Sequence, residues 1–168
     1  MQTPHIPQPQ CSDSAVPPPD SPTFGRSADG TLPHAVRAGA GYAGDVSAQL
    51  ACAWWQAGDA VLIDVRTDAE REWVGFVPGA VAVAWKQWPG MVMNAGFDDA
   101  IRAAVPVGKK AVLLCRSGVR SVAAAKRASE LGLEAYNILE GFEGDLDSQA
   151  QRGHQGGWRM RGLPWRQG

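Results

Sequence analysis

Cys115 is followed by Arg116, Ser117, Gly118, Val119, Arg120 and Ser121, so a sulfur nucleophile, two guanidiniums and a glycine fall within one short run. The residues just before it, Ala111 to Leu114, are apolar, and the residues from Val119 onward are rich in alanine. Cys115 therefore stands where a buried strand ends and a helix opens. The first N–H groups of a helix lack intrahelical partners and point at such a position. The helix dipole favours an anion there by a further ~0.3 to 1 kcal/mol. An unperturbed cysteine titrates near about 8.5, and lowering that by about two units needs about 2.7 kcal/mol of preference for the thiolate. One helix end together with Arg116 and Arg120 is expected to supply it. Gly118 lets the amides curl inward without a Cβ in the way. The expectation is an anion cradle around Cys115, with Arg116, Ser117, Gly118, Val119, Arg120 and Ser121 as the substrate-binding residues.

Other chemically capable side chains have weaker cases. Asp64 closes an apolar run near the same face. It either holds Arg120 or a loop amide, or pairs at the surface with Arg66 or Arg71, an arrangement that contributes only about 0 to 1 kcal/mol. Cys52 reads as an inert core residue and Cys11 as an incidental exposed thiol. His5, His34 and His154 have no cysteine or carboxylate at ligand spacing and read as solvated residues, so no metal site is expected. Trp158, Arg159, Arg161, Trp165 and Arg166 read as aromatics covering one flank of the fold, with the arginines reaching outward to water.

Positioning Cys115 requires the elements around it. Four short apolar runs, Ala60 to Val65, Ala80 to Trp85, Ala111 to Leu114 and Tyr136 to Leu139, are too short for buried helices, and the first two are rich in β-branched residues. They are predicted as strands. Val46, Leu50, Ala53, Trp54 and Ala57 recur at helical spacing, with Asp45 or Ser47 as the cap and Gly58 as the stop. Further helices are predicted over Asp68 to Val74, Phe97 to Val105 and Val119 to Leu131, the last closed by Gly132. Strands alternating with helices imply a doubly wound α/β sheet, mainly parallel, whose chemistry sits at the carboxyl ends of the strands.

The chain has 168 residues, 45% of them hydrophobic and 20% charged, which suits a single domain with a tail. Its net charge of -1 argues against general affinity for nucleic acid, and its apolar runs are far short of a membrane span. Three cysteines without a Cys-x-x-Cys spacing and the absence of a signal-like N-terminus point to the cytoplasm. Residues 1–40 carry Pro4, Pro7, Pro9, Pro17, Pro18, Pro19, Pro22 and Pro33 and few large apolar residues. They are expected to form a disordered tail, with a polyproline docking segment at Pro17 to Pro19 as the rival reading. The folded domain is assigned to residues 41–168.

Cys-Arg-Ser-Gly-Val-Arg-Ser from Cys115 to Ser121 resembles the active loop of the rhodanese-like sulfurtransferases. The resemblance runs from about Val46 to Trp165. Val61-Leu62-Ile63-Asp64-Val65-Arg66 is similar to the first signature strand of that family. Glu72-Trp73 through Gly75-Phe76-Val77-Pro78-Gly79-Ala80 is similar to its second motif, with Phe76 where a histidine is usual. Leu139-Glu140-Gly141, Trp158 and Gly162-Leu163-Pro164 are similar to its ending, although Phe142 to Gly157 is longer than in compact members. The resemblance implies a mainly parallel sheet of about five strands flanked by helices. It also implies that Cys115 accepts a sulfane sulfur as a persulfide, with Asp64 and Arg66 in support and no cofactor.

Three functions follow. In the first, thiolate Cys115 takes the outer sulfur of a small anionic donor such as thiosulfate and passes it to cyanide, a low-molecular-weight thiol or an acceptor protein. In the second, the same residues form a persulfide carrier with little turnover of small donors. In the third, the loop serves a cysteine-dependent phosphatase or arsenate reductase. That signature needs five residues between cysteine and arginine, and Cys115 and Arg120 enclose four. No nucleic-acid or membrane partner is expected.

Overall fold

The computed structural model describes residues 36–168. The proline-rich segment, Cys11, His5 and His34 lie outside the described residues. The chain then runs through β1 (Gly44–Val46), α1 (Ala48–Gln56), β2 (Ala60–Asp64), α2 (Asp68–Val74), β3 (Val81–Ala82), β4 (Lys86–Gln87), β5 (Val92–Met93), α3 (Phe97–Ala104), β6 (Lys110–Leu114), α4 (Val119–Glu130) and β7 (Ala135–Ile138). Five strands form one sheet in the order β1-β7-β6-β2-β3, and every pairing in it is parallel. β4 and β5 form a separate antiparallel hairpin.

Side-chain alternation along the strands divides the core in two, because successive residues face opposite sides of a sheet. Leu62, Val112, Leu114 and Ile138 pack with α1, Phe142, Trp158 and Leu163 on one face. Ile63, Ala111, Leu113 and Cys115 pack with α3 and α4 on the other. Ala124, Ala125 and Ala128 bring α4 close to the sheet, which explains the alanine-rich sequence of that helix. Trp158 is fully buried and its indole donates to the Pro164 carbonyl at 2.8 Å, so it belongs to the core. The Arg159 guanidinium lies 4.3 Å above the Trp165 ring.

Local chemistry sets the element ends. Ser47, not Asp45, caps α1 by accepting from the Leu50 N–H, while Asp45 and Val46 belong to β1. A three-residue strand of mixed polarity gives no period-2 signal, which is why it reads as part of a helix in sequence. Thr67 and Glu70 form a reciprocal capping box on α2. The run from Ala80 to Trp85 yields only the two-residue edge strand β3, and Val83 and Trp85 then donate their N–H groups to the carbonyls of Asp64, the last residue of β2, and of Val65 beyond it.

Asp64 and Arg66 correct an expectation. They do pair, but in the interior: Arg66 is fully buried and Asp64 nearly so. The Arg66 Nη2 is 2.6 Å from Asp64 Oδ2 and 2.8 Å from the Gly75 carbonyl, and the guanidinium stacks 3.9 Å from the Phe142 ring centroid. Cys52 is buried on α1 as expected, but it is disulfide-bonded and not an inert thiol.

Removing one member of a buried ion pair strands the other charge in a medium that solvates it poorly, at a cost of about 3 to 5 kcal/mol. Arg66→Ala is expected to lose stability in that range in urea unfolding. The double variant Asp64→Asn/Arg66→Met, which leaves no buried charge, is expected to lose less. An Arg66→Ala loss below about 1 kcal/mol, the level of a surface pair, would show that the pair does not hold the ends of β2 and α2 together.

Candidate active site

Cys115 follows the last residue of β6, and the loop 116–118 delivers the chain into α4. Gly118 is the N-cap of that helix, with φ 86° and ψ -9°, and no side chain caps the helix there. The left-handed conformation favours glycine, and space demands it: a Cβ at Gly118 would sit 2.0 Å from the Leu139 carbonyl oxygen. Phe142 donates its N–H to the Cys115 carbonyl at 2.8 Å, and Glu143 donates to the Arg116 carbonyl at 2.9 Å. These bonds draw the loop carbonyls outward to the 142–143 backbone. The first-turn N–H groups of α4, which have no intrahelical acceptor, receive no side-chain cap from Gly118.

Cys115 is almost wholly shielded from bulk solvent, at 1% exposure, and forms part of the wall of a cavity of about 570 Å³. Arg116, Ser117, Val119 and Arg120 line that cavity with it. Gly118 is buried beneath the loop, and Ser121 is buried with its Oγ 3.1 Å from Cys115 Sγ and 2.6 Å from Asn137 Oδ1. Asp64 and Arg66 do not line the cavity. They form the buried pair at the end of β2.

Arg120 is held differently from the expectation. Its side-chain partner is not Asp64 but Glu70 on α2, contacted by both terminal nitrogens at 2.8 and 2.5 Å. Burial pushes the Glu70 carboxyl up, but hydrogen bonds from Arg120 and Thr67 outweigh it and hold the group down at about 2. Arg120 therefore enters the site as half of a neutral pair, and Arg116, exposed on the cavity wall, is the cation of the loop that faces incoming solute.

Several lining residues were not singled out in the sequence. Thr67, Glu70 and Trp73 recur every three residues on one side of α2, Trp88 and Met91 come from the β4–β5 hairpin, and Arg152 comes from the long segment 142–157. The Thr-x-x-Glu capping box was a readable signal for Thr67 and Glu70. Trp73 and Trp88 are 67% and 60% exposed, and no periodicity separates such aromatics from core residues. His154, expected to be solvated, is exposed and also bonds Asp147 through Nδ1 at 2.7 Å. Among the described residues no cluster of three or more histidine, cysteine or carboxylate side chains could hold a metal ion, and no helix is long and apolar enough to cross a membrane.

Comparison with known proteins adds the family context. The rhodanese-like domain family matches residues 46–147. The crystal structure of Rv0390 from M. tuberculosis is similar at 42% identity and a TM-score of 0.67, covering 76% of this chain and 99% of that one. A rhodanese-related protein from Thermoplasma volcanium matches at 19% identity and a TM-score of 0.48, over 73% of this chain and 96% of that one. RPA3614 from Rhodopseudomonas palustris, described as a protein of unknown function and possible tyrosine phosphatase, matches at 25% identity and a TM-score of 0.45, over 73% and 83%. These last two likenesses are too distant to carry a functional argument. No curated protein matches the chain.

The Glu70–Arg120 bridge makes stability depend on pH. A carboxyl held at about 2 when folded and near about 4.3 when unfolded contributes stability that is complete above the unfolded value and lost as pH falls through the folded one. Glu70→Gln is therefore expected to be less stable than the parent by about 1 to 3 kcal/mol at pH 7, with the gap closing between about pH 4.5 and 2. Urea unfolding at pH 7 and pH 3 checks this, and a gap that widens on acidification would contradict the assigned bridge.

Proposed function

The chain belongs to the rhodanese-like domain family, and from that premise we propose that it is a sulfurtransferase whose Cys115 carries a sulfane sulfur as a persulfide. The observation that carries the reading is the position of Cys115: a thiol at the carboxyl end of β6, facing the uncapped N-terminus of α4 across a cavity open to solutes. Thiolate Cys115 attacks the outer sulfur of a donor such as thiosulfate. A bond forms between Sγ and that sulfur, the bond to the sulfonate sulfur breaks, and sulfite departs with the electron pair. The charge now rests on the terminal sulfur, one atom farther out, where the α4 amides and Arg116 meet it. A thiol, cyanide or an acceptor protein then removes that sulfur and restores the thiolate.

Neither a metal nor an organic cofactor has a role in this sequence of steps. Arg116 and the loop residues Ser117, Gly118, Val119, Arg120 and Ser121 serve the donor through backbone and charge, with the Arg120–Glu70 pair fixing α2 against α4. Asp64 and Arg66 support the site from behind by holding the end of β2. Trp73, Trp88, Met91 and Val119 give the cavity an apolar wall, and its volume lies within the range of about 300 to 1,000 Å³ typical of small-molecule sites. That capacity exceeds what thiosulfate needs, which favours an organic thiol or the tip of an acceptor protein as the second substrate.

Persulfide formation is read directly by mass spectrometry of the protein after incubation with thiosulfate. A single added sulfur on the peptide containing Cys115 is expected, and Cys115→Ser is expected to lose both that adduct and thiosulfate:cyanide sulfurtransfer while unfolding like the parent. Sulfur transfer undiminished in Cys115→Ser would overturn the assignment. Unmodified protein is also expected to leave aryl phosphates intact, because the four residues between Cys115 and Arg120 close the loop around one atom and not around a phosphoryl group. Aryl phosphate turnover dependent on Cys115 would favour the phosphatase reading instead.

A further inference from the structure

From Cys115 a chain of polar side chains, none of which lines the cavity, crosses two strands. Tyr42 donates its hydroxyl to Asp45 Oδ1 at 2.7 Å, and Asn137 donates Nδ2 to the same oxygen at 2.9 Å. Asn137 Oδ1 is 2.6 Å from Ser121 Oγ, which is 3.1 Å from Cys115 Sγ. Asp45 and Asn137 are register partners on β1 and β7, and Asn137 and Ser121 are buried. A buried polar chain of this kind must be satisfied at each member.

The direction of its protons follows from what each group can do. Burial and the Asp45 carboxylate push the Tyr42 phenol up to about 12, so it remains a donor. The Asp45 carboxylate only accepts, so Asn137 must turn its NH2 toward it and its carbonyl oxygen toward Ser121. That oxygen accepts only, so the single proton of the Ser121 hydroxyl is spent on it. What Ser121 presents to Cys115 is a lone pair.

We propose that Asn137, oriented by Asp45 and Tyr42, is a positioning residue that makes Ser121 a hydrogen-bond acceptor toward Cys115, so that the relay favours a neutral sulfur at Sγ over a thiolate. A thiol donates its S–H to Ser121. A bare thiolate meets the lone pair, and relief by rotating the hydroxyl would leave the buried Asn137 oxygen without a donor. In the persulfide the negative charge has moved to the outer sulfur and Sγ is neutral again. The relay thus opposes the amides and Arg116 at the inner sulfur only, and it favours the loaded enzyme over the unloaded thiolate. The inference rests on Cys115 being the sulfur-carrying residue.

The other charged groups near Cys115 are Arg116 and Arg120 from its own loop and helix, Glu70 from α2, the Asp64–Arg66 pair at the end of β2, and Arg152 on the cavity wall. None changes in the variants that test the relay. Asp45→Asn keeps the shape, removes the charge that fixes the Asn137 amide, and adds an NH2 that, turned toward Asn137, lets Asn137 present its own NH2 to Ser121 and releases the hydroxyl proton toward sulfur. The rate of Cys115 alkylation by iodoacetamide, resolved by peptide mass spectrometry, is measured against pH in the parent, Asp45→Asn, Ser121→Ala and the double variant.

The alkylation midpoint is expected to fall by about one pH unit in Asp45→Asn, through the new hydrogen bond to the thiolate. It is expected not to fall on adding Asp45→Asn to Ser121→Ala. Asn137→Leu, which leaves the Ser121 proton no acceptor but the sulfur, is expected to reproduce the fall and covers the case in which Asp45→Asn does not fold. A higher midpoint in Ser121→Ala than in the parent would overturn the proposal, because it would show the hydroxyl already donating to the thiolate. So would an Asp45→Asn shift of equal size with and without Ser121, which would reduce the effect to lost charge. Alkylation reads the sulfur whether or not it is ever loaded, so this outcome is separate from persulfide formation on thiosulfate.

Discussion

The loop that carries Cys115 is pressed backbone against backbone onto the turn that follows β7. A Cβ at Gly118 would lie 2.0 Å from the Leu139 oxygen, and one at Gly141 would lie 2.6 Å from the Cys115 oxygen, the Arg116 carbonyl carbon and the Ser117 nitrogen. Two glycines with positive φ permit an approach that side chains on either partner would forbid. The N–H groups of Phe142 and Glu143 then satisfy the carbonyls of Cys115 and Arg116 from that side. With its carbonyls committed outward, the loop has N–H groups left for the sulfur. The course of the loop is thereby set by backbone packing between two segments more than twenty residues apart in sequence, and this is the packing on which the proposed anion cradle rests.

Charge around the cradle is arranged to limit its strength. Two arginines of the site region are neutralised: Arg66 by Asp64 in the interior and Arg120 by Glu70 across the α2–α4 gap. Each pair joins elements, the first holding the end of β2 to the Gly75 carbonyl and the second holding α2 to the first turn of α4. Their electrostatic effect on sulfur is therefore that of a dipole and falls off faster than that of a free cation. The helix end, Arg116 and Arg152 remain to attract an incoming anion.

Legibility in the sequence tracked the range of the interaction responsible. Local signals were sufficient for α2, whose bounds Asp68–Val74 match the expectation, and for the strand-to-helix placement of Cys115. They failed for β1, where three residues gain their strand character only by pairing with Tyr136, Asn137 and Ile138. Arg120 was readable as a site residue, but its commitment to Glu70 was not, because a partner fifty positions away leaves no periodic trace. Asn137 was hidden for the same reason: an isolated polar residue in an apolar strand looks like an edge position until Asp45 and Ser121 are seen on either side of it. The ordered set of motifs conveyed the family because those motifs are where distant segments meet.

The outer boundary of the site comes from parts of the chain that contribute little to the sheet. Trp88 and Met91 reach the cavity from a hairpin outside the main sheet, Trp73 from a short charged helix, and Arg152 from the segment 142–157. That segment is fastened at its base, where Glu140 accepts from the Gly157 N–H at 2.7 Å and pairs with Arg161, and a little farther out by an Asp145–Gln155 bridge. A loop held at both points presents Arg152 at a defined place, with Nη1 2.6 Å from the Gly144 carbonyl. The interior of the cradle is thus fixed by close backbone packing that tolerates little change, whereas the rim is assembled from surface elements that can vary without disturbing it. In the proposed sulfur-loaded state the two sulfur atoms would be divided in the same way, with Sγ in the fixed interior beside Ser121 and the terminal sulfur toward the rim.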